Sequence, residues 1–124
     1  MTGEQTDAAR AVLDFLIPRV VGAPVRASLP HGWTVHDGPA VTVTSDGTPT
    51  TTRLATREMV RINVYAQHQP DARGAATAVD AALLARGAIP GLHIRPGPGL
   101  LVVYDDKLQA HIAAVTVAVA DTRH

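Results

Sequence analysis

The sequence predicts an α+β domain: a mainly antiparallel sheet of about four to five strands with two helices packed on one face. Three observations predict it. Two segments carry apolar residues at helical spacing, several others alternate apolar and polar residues in step with a strand, and most strand connections are short. The element order reads α-β-β-β-α-β-β. A chain of 124 residues suits one such domain, 1–124, with the ends 1–5 and 121–124 expected to be mobile.

The first helix is predicted over about 7–21. Ala9, Val12, Leu13, Leu16, Ile17 and Val20 recur at spacings of three and four, which puts them on one stripe. Thr6 stands where an N-cap belongs, and Asp7 suits the positive end of the helix dipole. Pro18 should distort the last turn, and Gly22 with Pro24 should end the helix. A short strand at 25–29 is stopped by Pro30 and Gly32. A second at 40–44 alternates Val41 and Val43 with Thr42 and Thr44. Asp46-Gly47 is a turn signal followed by a polar, Thr-rich run. The third strand, about 54–67, has Val60, Ile62 and Val64 on its buried face. Together the second and third strands make an extended hairpin with a Thr-rich tip.

The second helix, about 71–86, is built from good helix formers, with Ala75, Ala76, Val79, Ala82, Leu83 and Arg86 as its stripe and Gly87 as its C-cap. A short strand at 93–95 is interrupted by Pro96-Gly97-Pro98-Gly99, resumes over 100–104, and turns at Asp105-Asp106-Lys107. The last strand spans 108–120. Leu108, Ala110 and Ile112 share one face, whereas Val115, Val117 and Val119 have the opposite parity. Either a β-bulge near 113–114 resets the phase, or the strand is apolar on both faces. In the second case the helices cover one face and a neighbouring subunit could cover the other.

Composition excludes several functions. With no cysteine, disulfide frameworks, thiol catalysis and thiolate zinc sites are ruled out together. Eleven basic and eleven acidic side chains cancel, which argues against binding DNA by bulk electrostatics. No stretch reaches the roughly 18 consecutive apolar residues that span a bilayer, and the polar N-terminal segment is unlike a secretory signal. The expected setting is a cytoplasm. The apolar content is almost all small aliphatic, with one Trp, two Tyr and one Phe. Such a core buries less area per residue, so association with copies of itself would add stability. Ten Arg against one Lys, with abundant Ala, also fits a GC-rich coding sequence.

The search for chemistry returns little. His31, His36, His68, His93, His111 and His124 are scattered, with no pair at the spacing of metal ligands, and surface histidines are the better reading. His36 and Asp37 are neighbours, but adjacent residues on an extended chain point to opposite faces. Asp105 and Asp106 suit a turn. The run 97–99 is glycine-rich yet lacks the strand–loop–helix setting of a phosphate loop, and no nucleophile elbow is present. No active-site constellation, cofactor motif or metal set emerges. Arg53, Arg57 and Arg61 share the parity opposite Val60, Ile62 and Val64 and form the densest basic patch. That patch is either a solvated sheet face or a surface meeting a partner protein or passing DNA.

The order of elements over the whole chain resembles the small tail-terminator, or tail-completion, proteins of long-tailed bacteriophages. The resemblance is carried by the N-terminal helix ending near Pro18, Val25-Arg26-Ala27-Ser28-Leu29-Pro30, and Gly38-Pro39-Ala40-Val41-Thr42-Val43. It continues in Val60-Arg61-Ile62-Asn63-Val64-Tyr65-Ala66 leading into an Ala-rich helix, and in the closing strand Ala110-His111-Ile112-Ala113-Ala114-Val115-Thr116-Val117. It is a pattern of elements and not a strict motif, and the insert at 96–99 departs from it.

The resemblance implies a structural virion protein: a ring, usually of six subunits, at the head–tail junction, assembled in the host cytoplasm. Such a ring caps the tail tube, stops its polymerisation and offers a head-joining surface. Implied partners are other copies of the chain, the tail tube protein and a head-completion or connector protein. DNA would pass through the lumen without sequence-specific binding. No catalytic residue, cofactor or membrane is implied. The hairpin tip, 45–56, would project onto a neighbour or the tube, making Asp46, Arg53, Arg57 and Arg61 the candidate interface or lumen residues. Two other readings compete: a head-side connector protein, and a small ligand-binding or enzymatic domain with His36, Asp37, Asp105 and Asp106 in a cleft.

Overall fold

Alternating β-branched residues make two long strands, and the sheet grows outward from them. The computed structural model describes residues 7–47 and 57–121. In chain order its elements are α1 (Asp7–Leu16), β1 (Val25–Arg26), a single 3-10 turn (Val35–Asp37), β2 (Ala40–Gly47) and β3 (Arg57–Ala66). They continue with α2 (Gln69–Leu84), β4 (Leu92–Pro96), β5 (Leu101–Asp105) and β6 (Ala110–Asp121). The fold is α+β, with two helices on one face of a mostly antiparallel sheet, as expected. The strands run β1-β2-β3-β6-β4 with β5 also on β6, six in place of four to five.

The extra strand has a local cause. β4 and β5 are two halves of one edge, both antiparallel to β6. β4 pairs as far as Pro96 opposite Val117, and β5 resumes at Leu101 opposite Ala114. Residues 97–100 therefore face only Val115 and Thr116, and the surplus chain loops out as a wide bulge. Gly97 anchors the loop by donating its N–H to the Thr116 carbonyl at 2.9 Å. A β-carbon at Gly97 would overlap that carbonyl oxygen, so the close approach requires glycine.

One face of the sheet carries the main core. Val43, Ile62 and Val115 stand opposite one another across three strands, with Val41, Val64 and Ala113 in the next row. α1 lays Ala9, Val12, Leu13 and Leu16 on this floor, and α2 adds Ala72, Ala76, Val79 and Leu83. α1 ends at Leu16, earlier than the expected 21. Pro18 supplies no N–H and biases the residue before it away from helical backbone, so the chain leaves through an irregular turn. Ile17 is consequently 52% exposed and drops out of the expected stripe. α2 begins at Gln69, with Pro70 in its first turn, and stops at Leu84. The 25–29 strand shrinks to Val25–Arg26, parallel to β2 and tied to it by Val41 N donating to Pro24 O.

The opposite face has a second, smaller core at one end. Trp33, Val35, Ala40, Tyr65 and Ala110 are buried together, with Leu108 and Ile112 packed against them. Trp33 meets Tyr65 edge-on, their ring centroids 5.5 Å apart. The covering segment is pinned by Val35 N donating to the Leu108 carbonyl at 3.1 Å. This resolves the parity change in β6. β6 stays in unbroken register with β3, so it contains no bulge at 113–114. It is apolar on both faces: Ala110 and Ile112 lie under Trp33 and Tyr65, while Val115, Val117 and Val119 lie under the helices. Asp121, expected in a mobile tail, pairs with Leu92 at the end of β6.

Two substitutions test this packing. Gly97→Ala should cost about 1–3 kcal/mol of stability, because the carbonyl it meets is backbone and moves only with β6. Ile62→Ala, at a position with no exposure, should cost about 2–5 kcal/mol. Urea unfolding of the two variants against the parent measures both.

Candidate assembly surface

Beyond the Trp33 cluster the helix-free face lies open. Register lines up Thr44, Arg61 and Thr116, and beside them Asn63 and Ala114. These residues, with Met59, Ala118 and Ala120, are only partly buried apart from Arg61, which is exposed. Ala114, Thr116, Ala118 and Ala120 give β6 short side chains here, and Met59, Arg61 and Asn63 are the longer ones on β3. β2 is irregular between Ser45 and Gly47, and Asp46 is the residue left without a partner in β3. Its carboxylate accepts an ion-pair contact from Arg61 Nη2 at 2.9 Å.

Of the four expected interface residues, the fold thus joins Asp46 and Arg61 as a pair. Arg57 begins β3 with its backbone opposite Ala120, and Arg53 lies outside the described residues. The expected stripe of three arginines falls partly beyond what is described, as does most of the 45–56 tip. Sequence parity pointed to the arginines but not to the Asp46 partner. Alternation along β2 puts Asp46 on the face of Thr42 and Thr44, and the pairing of Thr44 with Arg61 brings that carboxylate within reach.

The sheet edges differ sharply. Unpaired strand edges invite another strand, and proteins blunt them with charge, proline or brevity. β1 is two residues long and ends in Arg26. β4 carries His93 and Arg95 and ends at Pro96, and Arg95 Nε donates to His93 Nε2 at 2.9 Å. β5, Leu-Val-Val-Tyr-Asp, has none of these devices before its last residue. Among the described residues it pairs only with β6, and Leu101, Val103 and Tyr104 are 58%, 45% and 52% exposed. Its apolar run alone predicts no more than an ordinary strand. Its exposure follows from being half of an edge.

A second apolar feature lies on the other layer. α1 and the turn after it diverge from α2, leaving a cavity of about 230 Å³ lined by Leu16, Val20, Val21, Ala75, Ala78 and Ala82, with Val41 as part of its floor. Val21 at its rim is 93% exposed. The alanines of α2 are what keep it open, since longer side chains would fill it.

The residues considered for chemistry serve local structure. Asp37 Oδ2 accepts from Thr34 N at 2.9 Å, and Asp105 Oδ1 accepts from Leu108 N at 3.0 Å, so both close their own turns. His36 Nε2 lies 3.0 Å from Gln109 Oε1, which brings the 35–37 and 105–109 turns to one end of the sheet. His111 stacks obliquely on Tyr104 with centroids 4.9 Å apart. Among the described residues no three His, Asp or Glu side chains converge on a common point. No described helix is long and apolar enough to cross a membrane. No protein-family model matches the chain, and no curated protein matches it.

The Asp46–Arg61 pair is solvent-exposed on both sides, so it adds little to stability. Arg61→Ala should lower unfolding free energy by no more than about 1 kcal/mol. A chemical denaturation curve that shifts further would show that the Asp46–Arg61 pair is structural and not a weak surface ion pair.

Proposed function

We propose that this chain is a tail-terminator-like structural protein of a long-tailed phage. Its copies close into a ring, near six in number, at the head–tail junction of the virion. The ring caps the tail tube, halts its growth and presents the surface on which a head-completion protein docks. The work is assembly and not catalysis, and DNA passes through the lumen without being read.

The observation that best supports this reading is the bare apolar edge β5 on a molecule whose other edges are blunted. Exposed apolar edges of this kind are a hazard in a solitary protein and an asset in one that assembles. Three further features agree with it. The order of helices and strands is the one on which the resemblance to tail terminators is drawn. The zero net charge lets identical copies approach without mutual repulsion. The two conspicuous carboxylates, Asp37 and Asp105, are occupied in turns.

The deciding experiment mixes the purified protein with tail tubes lacking a terminator and images them by negative stain. The expected outcome is a ring at one tube end and arrested elongation, with a ring mass of about 80 kDa for six 13.0 kDa copies. Binding to filled heads alone, with no tube capping, would sink the reading in favour of a head-side connector.

A further inference from the structure

We infer that residues 32–38 form a glycine-hinged flap that swings off the helix-free face as one piece and uncovers apolar sheet beneath it. This goes beyond the assembly reading and stands or falls separately from it. Between its two glycines the segment buries Trp33 and Val35 and leaves His36 and Asp37 exposed. Its hydrogen bonds are mostly its own. Thr34 N donates to Asp37 Oδ2 at 2.9 Å, Asp37 N to the Thr34 carbonyl at 2.9 Å, and Gly38 N to the Val35 carbonyl at 3.1 Å. Among the described residues, two hydrogen bonds tie it to the 105–109 turn. Val35 N donates to the Leu108 carbonyl at 3.1 Å, and His36 Nε2 lies 3.0 Å from Gln109 Oε1 on the surface.

The glycines are placed as hinges. Gly32 has φ +75 and Gly38 has φ +102 with ψ 170. A β-carbon at either would meet nothing within 4 Å, so it is backbone conformation and not space that calls for glycine. The conformation of Gly38 is one that essentially only glycine adopts. Hinges are a few such residues that absorb the backbone change while the piece between them moves intact. The floor beneath needs no flap to hold it. Tyr65 pairs with Ile112 across β3 and β6, Ala110 pairs with Asp105, and the Tyr65 hydroxyl lies 3.4 Å from Thr42 Oγ1. On the same face Leu101 pairs with Ala114 and Val103 with Ile112. Opening therefore joins Tyr65, Ala110 and Ile112 to the exposed Leu101 and Val103 in one apolar surface, and the flap sets how much of that surface is on show.

The chain has no cysteine, so one introduced thiol reports its own site. Ala110→Cys places it under the flap and Val117→Cys under the helices, both at positions without exposure. In urea below the unfolding transition, Ala110→Cys should react with a thiol reagent at least about tenfold faster than Val117→Cys, and with weaker urea dependence. Adding Gly38→Ala strains the closed backbone and should speed Ala110→Cys by about a further tenfold. Equal rates and equal urea dependence at the two thiols would overturn the flap, because the floor would then open only on global unfolding. A rate at Ala110→Cys that Gly38→Ala leaves unchanged would also overturn it, assigning the exposure to fraying of β5 from β6. Hydrogen exchange reads the same event in the unsubstituted protein. The Val35 amide should exchange faster than the Ile62 amide in the middle of the sheet, and with weaker urea dependence. Matching protection at these two amides sinks the proposal even where a cysteine variant fails to fold.

Discussion

β3 and β6 pair without interruption from Arg57 opposite Ala120 to Ala66 opposite His111, and the rest of the molecule takes its place from that ladder. Because side chains alternate across a strand, the register fixes which residues face the helices and which face away. Val60, Ile62, Val64, Ala113, Val115 and Val117 go to the helix side together, giving α1 and α2 a single continuous floor. A slip of one residue would send the whole set to the other face, so the ladder admits one solution. Tyr65, Ala110 and Ile112 then fall on the far face, where Trp33 closes over them.

That second cluster covers only one end of the far face, and this division organises the surface. Under Trp33 the sheet is sealed on both sides. Farther along β6 it offers Ala114, Thr116, Ala118 and Ala120, small residues that stay partly exposed. The Pro96–Gly99 run, which stood out as a departure from the tail-terminator pattern, has a matching structural role. It breaks the neighbouring edge into β4 and β5, and the bulge lets the blunted half and the bare half behave differently. A continuous edge strand would carry Arg95 and Pro96 into the same ladder as Leu101, diluting the apolar patch.

Small side chains act twice in this protein. In the core they let α2 lie close on the sheet through Ala72 and Ala76. On the outer side of the same helix, Ala75, Ala78 and Ala82 leave the groove toward α1 unfilled. An alanine-rich helix therefore packs tightly inward and leaves an open groove outward. The sparse aromatic content fits the same economy, since Trp33 and Tyr65 are concentrated where a single loop must seal one end of the sheet.

The sequence by itself determined the fold class, the order of the elements, the inward faces of β2, β3 and α1, and the interruption at Pro96–Gly99. These follow from local periodicity and from backbone limits on proline and glycine, which act within a few residues. It also offered both explanations of the parity change in β6 without a means to choose, because the choice depends on whether a distant segment covers the far face. Tertiary structure alone decided that Trp33 does so, that Asp46 reaches Arg61, and that an apolar run at 101–104 is an exposed edge and not a buried strand. Each of these depends on which strands become neighbours across long stretches of chain. Apolar character tells a strand only that it should be covered, and among the described residues β5 pairs with β6 alone, which leaves its other edge open.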